Sequence, residues 1–319
     1  MKEFISNLIS KQTKLSKEEV SKYLESPPDE KLGDYAFPCF VLAKKFKRNP
    51  VEIASELADK IKNNLEFEKV NALGPYVNIF VNRVALAEEI LEKIIKEKDS
   101  YGSSKIGKNK RIVVDMSSPN IAKPFGIGHL RSTIIGNSIA EISKFQGYKV
   151  IKINYLGDWG TQFGKLIVGY KKWGSIDKLK KDPIKHLLSI YVKAEKTKSL
   201  DEKARWEFKK LEGGDKENTT LWKLFRKLSL NNFEKIYDIL GIKFNFIEGE
   251  SNYNNKMDKI IEELQKKTLL EESNGAQIVN LEKYGLGVCL IKKSDGATLY
   301  PTRDITAAIE RHKKYKFDK

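Results

Sequence analysis

Between Arg111 and Phe145 an apolar strand runs straight into a turn bearing serine, proline and glycine and then into a helix, and no other stretch restricts the possible folds as much. RIVVDM, Arg111 to Met116, has the β-branched, apolar centre of a strand covered on both faces. Ser117, Ser118, Pro119 and Asn120 supply turn chemistry, and Pro124, Gly126 and Gly128 keep the backbone extended and sterically thin until a helix begins near His129. Leu130, Ile134, Ile135, Ile139, Ile142 and Phe145 recur every three or four residues and mark the face expected to be buried, with Gly147 just past the helix end. A second strand, Lys149 to Tyr155, completes a strand-helix-strand unit, which packs as a right-handed crossover between parallel strands. The implied fold class is α/β.

Ligands of open parallel sheets sit beyond the carboxyl ends of the strands, and a thin turn entering a helix offers unpaired N–H groups to an anion. Phosphate binding is therefore expected here. A P-loop is excluded, because no Gly-Lys-Ser or Gly-Lys-Thr stands at its spacing. A dinucleotide fingerprint is excluded as well, since Gly126-Ile127-Gly128 is followed by His129, Leu130 and Arg131 without a third glycine. An ordinary crossover with packing glycines gives no role to Asn120, Lys123 and His129 at one turn. What is left is a small residue and Gly-His opening a helix after a buried strand, which resembles the HIGH signature of class I aminoacyl-tRNA synthetases.

The flanks narrow the resemblance. SSPNIAKPFGIGHLRSTIIGN followed by NYLGDWGTQFGKL is similar to arginyl-tRNA synthetases. That resemblance implies ATP binding at Pro119, Asn120, Lys123, Pro124, Gly126, Gly128 and His129, with His129 and Lys123 serving catalysis at the phosphates. Family members carry His-x-Gly-His where this chain has Gly126-Ile127-Gly128-His129, so the first histidine is missing, and Lys123 offers a point charge to the same phosphates. SDGATLYPTRDITAAIERHKKYKFDK, Ser294 to Lys319, resembles the segment with which the family holds arginine. A guanidinium is a planar fork of donors that suits a carboxylate and an aromatic face, and the resemblance carries that pair onto Tyr300 and Asp304, expected to converge across a strand-to-helix turn. The alternative for Asp304 is a residue that merely favours the helix dipole. Asp115 and Asn120 are candidate acceptors for the α-amino group, with Ser118 beside them and Gln162 a further polar candidate.

Along the chain, residues 1 to about 105 read as a small α/β domain. Ser16 with Glu19 forms a capping-box pattern, Pro27 and Pro28 stop that helix, Val41, Leu42 and Phe46 mark another, and Ile53, Leu57 and Ile61 share a face after Pro50. Val70 to Asn82 alternates as a strand before a helix from Val84 to Lys98. KLGDYAF and ALGPYVNIFVN resemble the N-terminal additional domain of the family, which implies contact with tRNA. From 106 onward the resemblance implies a catalytic Rossmann-like domain interrupted by a connective insertion at about 172–290, where Trp206, Trp222 and His186 read as structural residues. Family members continue through the second half of the nucleotide fold, a lysine-bearing loop and an anticodon-binding domain, so a truncated form or a fragment is expected.

The function so implied is ATP-dependent activation of L-arginine and its transfer to tRNA(Arg), with Mg2+ carried by ATP and no protein metal cage. The alternative is a non-catalytic arginine- or tRNA-binding remnant. A formal net charge of +16 suits a polyanionic partner, although the lysines responsible are scattered in the manner of a solvated surface. No apolar run approaches the roughly 20 residues that cross a bilayer, and Cys39 and Cys289 lack any metal-binding companion, so a cytoplasmic monomer with free thiols is expected.

Overall fold

The computed structural model describes residues 1–294, 296 and 300–319, in two units, Met1–Gly102 and Ser103–Lys319. The first opens with α1 (Lys2–Gln12), which the sequence pattern did not suggest and which buries Ile5 and Ile9. In α2 (Lys17–Tyr23) the capping box forms as expected: Glu19 N–H donates to Ser16 Oγ at 3.2 Å and Ser16 N–H to Glu19 Oε2 at 2.7 Å. After β1 (Tyr35–Pro38) and α3 (Phe40–Phe46), α4 (Pro50–Ile61) starts on Asn49, whose side chain accepts from Val51 N–H at 2.9 Å, and buries Ile53, Leu57 and Ile61.

The stretch expected as one strand is a hairpin. Gly74, at φ +57°, and Pro75 turn the chain between β2 (Phe67–Leu73) and β3 (Tyr76–Val81), and β3 lies centrally in an antiparallel sheet ordered β1-β3-β2. The unit closes with α5 (Arg83–Glu97), none of whose residues is buried.

In the second unit β4 (Arg111–Asp115), α6 (Ile127–Phe145) and β5 (Lys149–Leu156) make the expected parallel crossover, with Asp115 paired to Ile153. Four helices follow, α7 (Thr161–Trp173), α8 (Ile176–Lys181), α9 (Pro183–Lys196) and α10 (Asp201–Glu212), and then the long α11 (Lys216–Leu240). The chain next returns to the sheet as β6 (Phe246–Gly249), parallel to β5 with Tyr155 opposite Glu248. A continuous insertion over 172–290 is thus corrected, because the third strand of the nucleotide sheet lies inside that range. Beyond it come α12 (Met257–Lys266), an antiparallel sheet of β7 (Glu271–Ser273), β8 (Ala276–Asn280) and β9 (Val288–Lys292), and α13 (Tyr300–Tyr315). Past α13, Asp318 N–H donates to Arg111 O at 2.9 Å and Val113 N–H to Lys319 O at 3.0 Å, so the chain returns to the edge of β4 away from β5. The connections diverge on the two sides of β4, which places a switch point at its carboxyl end.

One expectation about α6 is overturned. Ile134, Ile135, Ile139, Ile142 and Phe145 are 41–64% exposed, and the buried residues are Thr133, Gly136 and Ala140. Small side chains bring the helix close to the strand exit: a Cβ on Gly136 would stand 2.4 Å from that of Met116. Hydrophobicity marked the bulky face, but close approach to the sheet required the small one.

Candidate active site

The loop after β4 turns at a conformational cost. Ser117, Ser118 and Ala122 have φ values of +77°, +50° and +60°, left-handed conformations that cost non-glycine residues about 1–3 kcal/mol each. Contacts distant in sequence hold it there. Ser117 Oγ lies 2.7 Å from Tyr237 Oη and Ala122 N–H donates to Ser229 Oγ at 3.0 Å, both partners coming from α11. Pro119 O accepts from Gly157 N–H at 3.1 Å, and Gly157 O from Ile121 N–H at 3.2 Å. A Cβ at Gly157 would stand 2.2 Å from Asn120 Oδ1, so a larger residue there displaces the Asn120 side chain.

At the carboxyl ends of the strands this loop borders a cleft of about 580 Å³. Asp115, Ser118 and Asn120 form one wall, Tyr155 and Gly157 the end of β5, and Glu250 the exit of β6. Tyr300, Asp304 and Arg311 line it from α13, with Ala307 and Ala308 leaving room between them. The expected geometry of Tyr300 and Asp304 needs correction, because both stand on α13, four residues apart on one face, rather than across a strand-to-helix turn. Asp304 therefore sits in the second turn, too deep for a helix-start role. Asp295, Ala297, Thr298 and Leu299 of the arginine-like segment lie outside the described residues.

The cleft is acidic. Desolvation pushes the Asp304 carboxyl above its ordinary value and the neighbouring Asp115 charge adds to the shift. Glu250 is raised as well, first by burial, with Arg303 opposing and the Asp158 and Asp304 charges assisting. Carboxyls that resist ionisation beside one another gain from a cationic ligand.

At the other end of the loop, Gly126 N–H donates to His129 Nδ1 at 3.1 Å. With Nδ1 accepting, the imidazole proton resides on Nε2, which is left as a donor, and burial holds the ring below its ordinary pKa and hence neutral. The first N–H groups of α6 are free at this end, and the helix starts at Ile127, so Gly128 already belongs to its first turn.

Several expected residues stand elsewhere. Pro119 is buried and acts through its carbonyl. Lys123 Nζ lies 5.4 Å from the Tyr191 ring centre, and Gln162 lines the same narrow crevice instead of the cleft. Pro124, Gly126 and Gly128 are exposed on the loop and first turn. Trp206 is 57% exposed, against the expectation of a core residue, whereas Trp222 Nε1–H donates to Asp158 O at 2.8 Å. His186 Nε2 accepts from Ser175 N–H at 3.1 Å, a structural engagement beside a crevice rimmed by Lys178, Lys181 and Lys185.

Residues that the sequence did not point to carry much of this architecture. Asp158, fully buried, takes Arg226 Nε–H at 2.9 Å and two donors from Ser251, tying α11 to the exits of β5 and β6. Glu250, Tyr155 and Arg311 face the cleft. Only a buried charge inside an apolar pattern, such as Asp158 next to Trp159, could have signalled any of them. No group of three or more metal-ligating side chains occurs among the described residues, and no described helix is long and apolar enough to cross a membrane.

Comparison with known proteins agrees with this architecture. The model of the class I (R) tRNA synthetase catalytic domain matches residues 90–319, and that of the arginyl tRNA synthetase N-terminal domain matches residues 1–81. The arginine--tRNA ligase of Clostridium perfringens (strain 13 / Type A) is 52% identical over 322 residues, covering 100% of this chain and 57% of the relative. That of Clostridioides difficile (strain 630) is 51% identical over 320 residues, covering 99% and 56%. The chain thus spans little more than half the length of these curated relatives. Among solved structures, arginyl-tRNA synthetase from Plasmodium falciparum aligns with a TM-score of 0.68 at 26% identity, over 90% of this chain and 52% of that one. The Thermus thermophilus enzyme, at 23% identity and a TM-score of 0.61 over 90% and 49%, shares the fold. With family models spanning most of its length, the chain belongs to the class I arginyl-tRNA synthetases.

Proposed function

We propose that this chain binds L-arginine and ATP, forms arginyl-adenylate and passes the arginyl group to tRNA(Arg). The observation that carries this assignment is the cleft with Asp115, Glu250 and Asp304 around one volume and Tyr300 one helical turn from Asp304. Two of the carboxyls are raised, first by burial and then by neighbouring acidic charge, and a cation beside them favours their ionised form. A guanidinium supplies that charge as a fork, with Asp304 accepting two donors and the Tyr300 ring against its face. The α-ammonium then meets Asp115 or Asn120 Oδ1, with Ser118 nearby. Gln162 has no part in this arrangement, since it lines another crevice.

In the first step a carboxylate oxygen of arginine attacks the α-phosphorus of ATP, and pyrophosphate leaves. A hydroxyl of the terminal tRNA ribose next attacks the arginyl carbonyl carbon, and AMP leaves. The protein needs no nucleophile of its own. It contributes positioning and preorganised donors: His129 Nε2–H, the free N–H groups of α6, and Lys123 after its side chain swings from Tyr191. Mg2+ enters on the ATP phosphates. The net charge of +16 and the N-terminal unit support tRNA as the polyanionic partner, and a monomer in the cytoplasm suits that role.

Titration calorimetry with L-arginine, L-lysine and L-citrulline, together with arginine-dependent ATP–pyrophosphate exchange, tests the assignment. Arginine should bind, lysine should not, and exchange should follow arginine. Failure to bind arginine refutes the assignment, and binding without exchange identifies a non-catalytic remnant.

A further inference from the structure

Beneath the cleft lies a polar network of which the proposed chemistry uses only Asp115. Asp115, Tyr155 and Glu248 stand at or next to the carboxyl ends of β4, β5 and β6, and Arg311 of α13 reaches all three. Its Nη1–H donates to Asp115 Oδ2 at 2.7 Å, its Nε–H donates to Glu248 Oε2 at 2.9 Å, and its guanidinium lies 4.6 Å from the centre of the Tyr155 ring. Glu248 also accepts from Tyr253 Oη–H at 2.7 Å and Tyr315 Oη–H at 2.8 Å. Arg311 is 7% exposed, and its Nη2 has no partner although the residue lines the cleft. Tyr155 Oη is unpartnered as well.

Stability alone is a poor reason for this arrangement, because desolvating a buried ion pair offsets much of its attraction, and apolar replacements of similar size are often as stable. Glu248 by itself neutralises Arg311. The bond to Asp115 goes beyond that and reaches an exposed carboxylate at the cleft wall. It leaves Asp115 held from two sides, with Ser118 Oγ–H donating to Oδ1 at 3.3 Å and Arg311 to Oδ2. A carboxylate fixed in this way need not be ordered when a ligand arrives, and the Arg311 charge offsets part of the repulsion between Asp115 and Asp304.

We propose that Arg311 is a positioning residue for ligand recognition, fixing the Asp115 carboxylate at the cleft wall. This inference rests on the assignment of the cleft to arginine. Arg311 acts through Asp115, so the effects of the two residues on ligand affinity are coupled. Lysine at 311 keeps the charge but cannot bridge two carboxylates as a fork.

The test is calorimetric titration of L-arginine into the full 319-residue chain as wild type, Arg311→Met, Arg311→Lys, Asp115→Asn and the Asp115→Asn/Arg311→Met double variant, with Asp304→Asn as reference. Arg311→Met should weaken arginine binding by about tenfold or more, Arg311→Lys should recover part of it, and the double variant should bind about as weakly as Asp115→Asn alone, the mark of a coupled pair. A merely structural Arg311 would lower the melting temperature while leaving the affinity of folded protein unchanged. Wild-type affinity in Arg311→Met, or effects of Asp115→Asn and Arg311→Met that multiply independently, overturns the proposal while Asp304→Asn still confirms the cleft. A wild type that does not bind arginine, or an Asp304→Asn variant that binds it normally, overturns the underlying assignment instead. If Arg311→Met does not fold, Arg311→Lys decides by the same coupling to Asp115→Asn.

Discussion

Tyr237→Phe removes a single oxygen from the brace behind the SSPN loop and leaves the ring. That oxygen lies 2.7 Å from Ser117 Oγ and accepts from Asn154 Nδ2–H at 3.0 Å, and Tyr237, Ser117 and Asn154 are 4%, 2% and 0% exposed. Water cannot readily replace it. Leaving two buried polar groups unsatisfied costs about 1–3 kcal/mol each, and rotation of the Ser117 hydroxyl recovers part, so a net loss of roughly 2–4 kcal/mol is expected. The packing of the ring against Phe125 and Phe244, at 5.8 and 4.9 Å between centroids, stays in place. Urea unfolding should show the loss as a lower midpoint at unchanged slope. Arginine affinity should also fall, because Ser117 and Ser118 are no longer held at positive φ. A stability change below about 0.5 kcal/mol with unchanged arginine affinity would show that the loop keeps its conformation without this brace, and would refute the reasoning.

Three further outcomes follow from the site. Nitrogen-15 NMR should find His129 as the Nε2–H tautomer with a pKa below about 6.5, and His129→Ala should lower ATP–pyrophosphate exchange on the order of 10²-fold; an Nδ1–H tautomer would contradict the bond from Gly126. Gly126→His should fold normally, since a Cβ at 126 meets nothing nearer than His129 Nδ1 at 4.0 Å, and a gain in exchange would show that this position lies at the phosphates. The raised pKa values of Asp304 and Glu250 imply that these groups contribute stability below their ordinary range, about 4, that is lost as pH rises through the folded values. Arginine should therefore release protons on binding at pH values just above the ordinary carboxylate range and bind more weakly as pH falls; titrations in buffers of different ionisation enthalpy detect this, and the absence of proton release would contradict the raised carboxyls.

Local patterns told most where the chain obeys short-range rules. The capping box at Ser16, the helix after Pro50 and the β4-α6-β5 crossover depend on neighbours a few residues apart, and each stands where periodicity and turn chemistry put it. Ser118, Asn120, Tyr300 and Asp304 could be named because they sit in two recognisable strings, and Asp115 because it ends the strand that leads into the first; all of them line one cleft. The supports of that cleft were invisible because their partners are far apart in the chain. Ser229 braces Ala122 across 107 positions and Arg311 reaches Asp115 across 196, and neither spacing leaves a trace in a helical or strand period. The exposed isoleucines of α6 show the opposite failure, a clear period that marked the wrong face because tight packing on the sheet selects Thr133, Gly136 and Ala140. For β6 the strand-like pattern of Gly241 to Gly249 was readable, but a strand of four residues does not show which sheet it joins, and its pairing with β5 comes from residues about 93 positions apart.

Asp304→Asn most directly tests whether the cleft recognises a guanidinium. The substitution keeps the shape of the side chain and removes its charge, so titrating wild type and variant with L-arginine and the neutral isostere L-citrulline isolates the charge. Losing one partner of a sequestered charge pair costs roughly 2–5 kcal/mol, about 30- to several-thousand-fold in affinity. Arginine binding should fall by that factor and the preference for arginine over citrulline should nearly vanish. Arginine affinity within about twofold of wild type, a difference of about 0.4 kcal/mol, would contradict the account, for Asp304 would then be a bystander on α13.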